Sequence, residues 1–370
     1  RIRSVILWQV CAVGLVGGLL GGLLALPTAR VYLLTWREFN LFPDDLPLSM
    51  PLFGIPATIL VTALFSVLGG LGAARRAANV PEMQALREAT SPRSRTKLWQ
   101  WIAAGLFLIP VVLMPILINL PPEALHSDYT PEMPDVPAEA ATTDFESPGD
   151  RAVMGGGIGL MVTLAALFIP NWTVRPLLIG WTSLIPGRSP AWFAARANAR
   201  HRSAFSLTTI VPFAIAVAMT GVFHTVANAG RAAGGMHGGV NGFLTIMVPI
   251  FFVAGAGGIA NIAMVGRTRR QEGALLGVIG ARSGTILGST ILEGAIYAIT
   301  GILFGLAVTL LSATSAALMS GGGMEVFIGS IPVTTLLPAI GASLVLAITT
   351  TWLPAQLDRR PMMESLRQPV

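Results

Sequence analysis

Apolar residues run along the chain in long blocks separated by polar connectors, and the blocks set the expected elements. Eight spans follow, at 5–33, 51–74, 99–119, 152–170, 203–228, 240–265, 284–313 and 331–353. Each reaches the ~18–20 residues that an α-helix needs to cross a hydrocarbon core. The blocks at 5–33 and 284–313 are long enough to tilt or to extend past the bilayer. Pro56, Pro110, Pro212 and Pro338 fall inside spans, where packed neighbours satisfy the backbone groups that proline frees. The pattern predicts an all-α polytopic membrane protein.

Composition strengthens that expectation: 53% of residues are apolar and 11% charged, with a mean hydropathy of +0.69. A soluble domain carries about a quarter charged residues. The net charge of +6 is unevenly placed. Segment 75–98 carries Arg75, Arg76, Arg87, Arg93, Arg95 and Lys97, and segment 171–202 carries Arg175, Arg188, Arg196, Arg200 and Arg202. Segment 266–283 carries Arg267, Arg269, Arg270 and Arg282, and the tail Arg359, Arg360 and Arg367. The intervening connectors are poor in arginine: 34–50 sets Arg37 against Glu38, Asp44 and Asp45, and 314–330 holds only Glu325. The stretch 120–151 is the most acidic, with carboxylates from Glu123 to Asp150, and its Pro, Ala, Glu and Thr content predicts an extended connector. Eight spans and alternating charge agree, so the arginine-rich loops and the C-terminus are expected in the cytoplasm. No basic patch interleaves with aromatics on a soluble region, so nucleic acid is not an expected partner.

Candidate chemistry is sparse. Cys11 stands alone inside an apolar block, which excludes a disulfide or a cysteine metal site within the chain. No G-x-x-x-x-G-K-[ST] loop occurs, so the chain lacks the usual phosphate cradle for ATP hydrolysis. His224 and His237 flank the short connector between spans 203–228 and 240–265, but two imidazoles fall short of a metal set. The glycine runs at 155–157, 234–235 and 321–323 read as loop ends or as close helix packing. No catalytic residue and no metal ligand is assigned. Glu293 lies about two turns inside its span, and an intramembrane carboxylate is a functional candidate by default. Trp172, Trp181 and Trp192, mixed with Arg175, Arg188 and Arg196, suit a helix lying in the headgroup region.

The chain also repeats itself. Gln9, Gly17 and Gly21 have the spacing of Glu293, Gly301 and Gly305. The next span opens with Gly54-Ile55-Pro56 in one copy and Ser330-Ile331-Pro332 in the other. Each copy then leaves the membrane into a short tail, Pro81-Glu82-Met83-Gln84-Ala85-Leu86-Arg87 and Pro361-Met362-Met363-Glu364-Ser365-Leu366-Arg367. A Gly-xxx-Gly pair alone is common in packed membrane helices, whereas the ordered set points to two copies of one module. The second copy has two further spans before its matched region, 203–228 and 240–265. The recorded start reads as mid-protein, and two helices preceding Arg1 are expected in a complete ten-span protein.

The stretch Arg267-Thr268-Arg269-Arg270-Gln271-Glu272-Gly273-Ala274-Leu275-Leu276-Gly277-Val278-Ile279-Gly280-Ala281 resembles the signature of the FtsX-like (MacB-type) ABC permease family. There a charged R-x-x-E segment leads into a short apolar helix ending in Gly-Ala. Phe193-Ala194-Ala195-Arg196-Ala197-Asn198-Ala199-Arg200 is similar to the family's entry helix. The resemblance implies two tandem four-helix FtsX-like modules, the first lacking its first two helices, joined by two linking helices. The expected divisions are 1–98, 99–170 with the acidic loop 120–151, an amphipathic segment at 171–202, and a second module at 203–370.

The same resemblance implies a membrane subunit of an ABC transporter in the bacterial plasma membrane, with no cofactor of its own. Separate ATPase subunits, one per module and so two copies, would bind ATP and Mg. They would dock on a short helix where Leu275, Leu276, Val278 and Ile279 fill a groove and Arg269, Arg270 and Glu272 set register. The same residues also suit an ordinary interfacial helix with snorkelling arginines. Pro81, Leu86 and Arg87, with Pro361, Leu366 and Arg367, mark the cytoplasmic exits, and Gln9 and Glu293 are the intramembrane polar candidates. The expected function is export, or extraction from the outer leaflet, of a lipid-like or amphipathic substrate. Two alternatives stand beside it: mechanotransmission to an outer partner, which needs loop 120–151, and secondary transport, which usually uses inverted repeats.

Overall fold

The structure, a computed structural model, describes residues 2–37, 53–79, 96–118, 147–187, 189–201, 203–234, 277 and 280–357. All ten elements among them are α-helices: α1 (Ile2–Arg37), α2 (Gly54–Asn79), α3 (Leu98–Ile118), α4 (Pro148–Phe168), α5 (Pro170–Leu184), α6 (Pro190–His201), α7 (Ser203–Ala232), α8 (Ser283–Ser320), α9 (Gly323–Ser330) and α10 (Val333–Leu357). Six helices are long and apolar enough to cross a membrane: α1 to α4, α7 and α8. The bent pair α9–α10, with 40° between its arms, makes a seventh candidate. The chain is an all-α, multi-pass membrane protein. The expected span 240–265 lies outside the described residues.

The chain forms two compact units, Arg1–Pro92 and Arg93–Val370. In the first, α1 lies along α2 with glycines at the seam. A Cβ on Gly14 would fall 2.8 Å from Ser66 Cβ, and one on Gly18 2.7 Å from Ile59 Cα. Small residues at such a seam let two backbones approach, which is how helices gain packing energy in lipid.

In the second unit α8 is the hub, packing against α4, α5, α6, α7, α9 and α10. Ser312 donates to the Gly156 carbonyl and Ser315 to the Gly155 carbonyl, each at 2.6 Å, tying α8 to α4 across the lipid-excluded seam. α8 has 38 residues, about 57 Å at the helical rise, roughly twice the ~30 Å of a hydrocarbon core. The connector expected at 314–330 is therefore mostly helical. The Ala- and Ser-rich run to Ser320 contains no breaker, and the helix stops only where Gly321 takes φ 70°, a left-handed cap that favours glycine. α9 follows at once, with Val326 and Ser330 buried.

The unit has two ends. α9, the start of α4 and the ends of α7 and α8 share one. At the other, α4 breaks at Ile169-Pro170 into α5, which with α6 packs on the first turns of α7 and α8. Trp99 meets Phe168 and Trp101 meets Trp172 edge-on, with Trp181 against Trp192, so this end carries an aromatic cluster of the kind that marks a membrane–water boundary.

Candidate functional site

The expected ATPase-docking residues Arg269, Arg270, Glu272, Leu275, Leu276, Val278 and Ile279 lie outside the described residues, as do Pro81, Leu86, Arg87, Pro361, Leu366 and Arg367. The end of the docking stretch is described. Gly277 is helical, and the Gly280 N–H donates to the Gly277 carbonyl at 3.0 Å. Gly280 has φ 96° with no atom within 4 Å of where a Cβ would sit, so the requirement for glycine is conformational and not steric. Arg282 then begins α8 in extended backbone. The Gly-Ala ending read in the sequence is thus a turn just before the longest span.

Glu293 lies on α8 near the α5–α6 end and is buried, 4% exposed. The Tyr297 hydroxyl donates to Glu293 Oε1 at 2.5 Å. Ser206 of α7 is wholly buried, and its hydroxyl has two acceptors within reach, the Ala199 carbonyl of α6 at 2.8 Å and the Tyr297 oxygen at 3.2 Å. One residue from each of α6, α7 and α8 therefore joins the carboxylate in a single polar chain. Such a chain meets the requirement that an intramembrane polar group be satisfied internally.

Two more polar ties anchor the same end. Trp181 Nε1 donates to Thr300 Oγ1 at 2.9 Å, fastening α5 to α8. Arg200 Nη2 donates to the Ile179 carbonyl at 2.8 Å and to Thr182 Oγ1 at 2.9 Å, closing α6 onto α5. Burial first, and Arg196 second, lower the Arg200 pKa from its ordinary value, though a guanidinium still keeps its charge. Within segment 171–202 the described residues form α5 and α6. Their inner face goes further than a surface anchor requires: Val174, Leu178, Ala195 and Ala199 share one apolar core with Ile210, Ala214 and Ile296.

Gln9 does not share the surroundings of Glu293. It is exposed on α1, and no atom lies within 4 Å of a Cβ placed on Gly17 or Gly21. In the second unit, by contrast, a Cβ on Gly301 would lie 2.8 Å from the Ala214 nitrogen and one on Gly305 2.6 Å from Val217 Cγ1. α7 covers this face of α8. Gly14 and Gly18 meet α2, and Ala298 and Ile302 cluster with Ala347 and Leu336 of α10 and with Phe213 and Val217 of α7.

Sequence reasoning missed Tyr297, Ser206, Thr300 and Arg200, because their partners lie across helices or at the backbone. The Glu-x-x-x-Tyr spacing was the available signal, since residues four apart share a helical face. His224 is buried in α7, with Nδ1 2.8 Å from the Thr220 carbonyl. That contact requires the proton on Nδ1. His237 lies outside the described residues, and among the described residues no three metal-ligating side chains gather.

Residues 244–360 match the family model described as FtsX-like permease C-terminal. No curated protein and no solved structure matches the chain. The match contains α8, α9 and α10, with Glu293, Tyr297, Gly301 and Gly305. Residues 244–360 therefore carry an FtsX-like permease C-terminal domain, which supports a membrane subunit of the ABC-transporter type.

Proposed function

We propose that this permease works with a separate ATPase to export an amphipathic substrate, or to extract one from the outer leaflet. The carrying observation is at the α9 end of the second unit. α8 stays apolar to its last turn, far beyond one bilayer thickness. Leu318, Met324 and Ile328 are 77%, 69% and 60% exposed around the α8–α9 turn. An apolar ledge at that end suits a ligand with an acyl or other apolar portion, since only such a ligand gains from covering it. The arginine-rich, tryptophan-bearing end with α5 and α6 is then cytoplasmic by the positive-inside rule. The ATPase, holding ATP and Mg, docks there through residues 269–279, and the C-terminus lies on the same side. The setting is a bacterial plasma membrane.

Two tandem modules, and so two ATPase copies, fit the repeat. Gly14 and Gly18 face the partner helix in one unit as Ala298 and Ile302 do in the other. Gly17 and Gly21 keep, without a described neighbour, the face that α7 covers on α8.

The test is ATP hydrolysis by the permease–ATPase complex in lipid nanodiscs, with phospholipids, glycolipids and membrane-active antibiotics added in turn. At least one amphiphile is expected to raise the rate several-fold. Leu318→Asp with Met324→Asp is expected to remove that stimulation and leave the basal rate unchanged. If no amphiphile stimulates, or the variant responds as the parent does, the substrate reading falls.

A further inference from the structure

The α5–α6 hairpin is held to the spans by more than an interfacial helix needs. A helix resting in the headgroup region keeps its polar groups toward water and its apolar face toward acyl chains. Here the inner face is in the protein core, with Val174, Ala195 and Ala199 at 0% exposure. Polar ties leave the hairpin at separate points: Trp181 to Thr300 on α8, and Ala199 through Ser206 on α7 to Tyr297 and Glu293 on α8. Arg200 locks its two arms together. The hairpin is therefore fastened to α7 and α8 together, at their shared end.

Ser206 gives this fastening its character. A serine hydroxyl has one proton, and here two acceptors lie within reach, on α6 and on α8. Given to Ala199, the proton ties α6 to α7. Shared with Tyr297 in a three-centre bond, it ties α7 to α8 as well. Tyr297 spends its own proton on Glu293, so the carboxylate fixes which way the phenol points. A buried polar group that loses its partner costs the full desolvation penalty, so helices joined by such a chain move together or break it at a cost.

We propose that Glu293 and Tyr297 are positioning residues that make α6, α7 and α8 one rigid lever, so that the α5–α6 hairpin is a second route by which cytoplasmic motion enters the spans. This rests on the permease reading above, in which the docking stretch before α8 is the first route. A push on the hairpin then reaches α8, whose far end carries Leu318 of the apolar ledge.

The test uses the full chain in nanodiscs with its copurified ATPase. Spin labels are placed at Phe193 on α6 and Leu311 on α8, both exposed. The labelled parent is expected to show one narrow distance distribution, unchanged when ATP and vanadate trap the complex. Tyr297→Phe removes this donor to Glu293 and is expected to broaden the distribution and to cut permease-stimulated ATP hydrolysis several-fold. Ser206→Ala is expected to broaden it as well. Hydrogen exchange on α6 reads the same lever without nucleotide and is expected to be faster in Tyr297→Phe. If the parent distance shifts on trapping, or Tyr297→Phe matches the parent in both distance and exchange, the lever is refuted. If no ATPase copurifies, the permease reading fails, while the exchange result still decides whether the chain of bonds holds α6.

Discussion

A methyl group placed on Gly221 would lie 1.8 Å from Thr309 Oγ1. Thr309 cannot easily turn aside, because its hydroxyl donates to the Gly305 carbonyl at 2.8 Å on the buried face of α8. The closest seam between α7 and α8 is therefore a glycine against a pinned threonine. Gly221→Ala is expected to destabilise by about 1–3 kcal/mol, the usual cost of overpacking, and Gly221→Val by more. Pairing Gly221→Ala with Thr309→Ala is expected to recover most of the loss. Thermal aggregation of the purified protein in mild detergent reads all three, and a Gly221→Ala protein as stable as the parent would overturn the seam.

The α4–α8 seam makes a separable prediction. A Cβ on Gly155 would fall 2.5 Å from the Ser315 carbonyl oxygen, which is backbone and cannot swing away. The Ser315 hydroxyl bond to the Gly155 carbonyl is a single interhelical contact, worth about 0.6 kcal/mol by membrane precedent. Gly155→Leu is expected to abolish accumulation of folded protein, whereas Ser315→Ala shifts the midpoint by only a few degrees. Equal effects in the same thermal assay would show that backbone approach does not set this seam.

How much of this was legible depended on which physical term set each feature. Span positions followed from apolar length alone, and α1 to α4, α7 and α8 stand where the blocks predicted. Two features escaped for local reasons. The extension of α8 to Ser320 was hidden because a Ser- and Ala-rich run looks like connector but is a good helix former with no breaker before Gly321. The α5–α6 core was hidden because Trp and Arg at helical spacing suit both a headgroup helix and a buried one. Glu293 was readable as an intramembrane carboxylate, but its link through Tyr297 to Ser206, 87 residues earlier, exists only once α7 lies on α8.

Gly280 holds φ 96° at the turn before α8, where any side chain adds about 1 kcal/mol of backbone strain. Since no atom crowds the position, Gly280→Ala is expected to lose no more thermal stability than that backbone strain. It is expected instead to re-aim the stretch before the turn and to lower ATPase recovery in a pull-down several-fold. Recovery equal to the parent would show that this turn does not set the docking geometry.

The two-module reading makes its own demand on α1. A photo-crosslinking residue at Gly17 or Gly21 in the protein from its native host is expected to capture protein, because the matching face of α8 is covered by α7. The same probe at Val16, which is 59% exposed, serves as a comparison that reports lipid. Capture of lipid alone at positions 17 and 21 would contradict a second four-helix module.

The most direct measurement of the central claim is copurification from the native host in mild detergent, with and without Glu272→Arg and Leu276→Asp together. A P-loop ATPase is expected to accompany the parent and to be lost from the variant, with the permease itself accumulating and folding normally. If no ATPase accompanies the parent, or the variant keeps it in full, the stretch before α8 does not couple this permease to ATP hydrolysis.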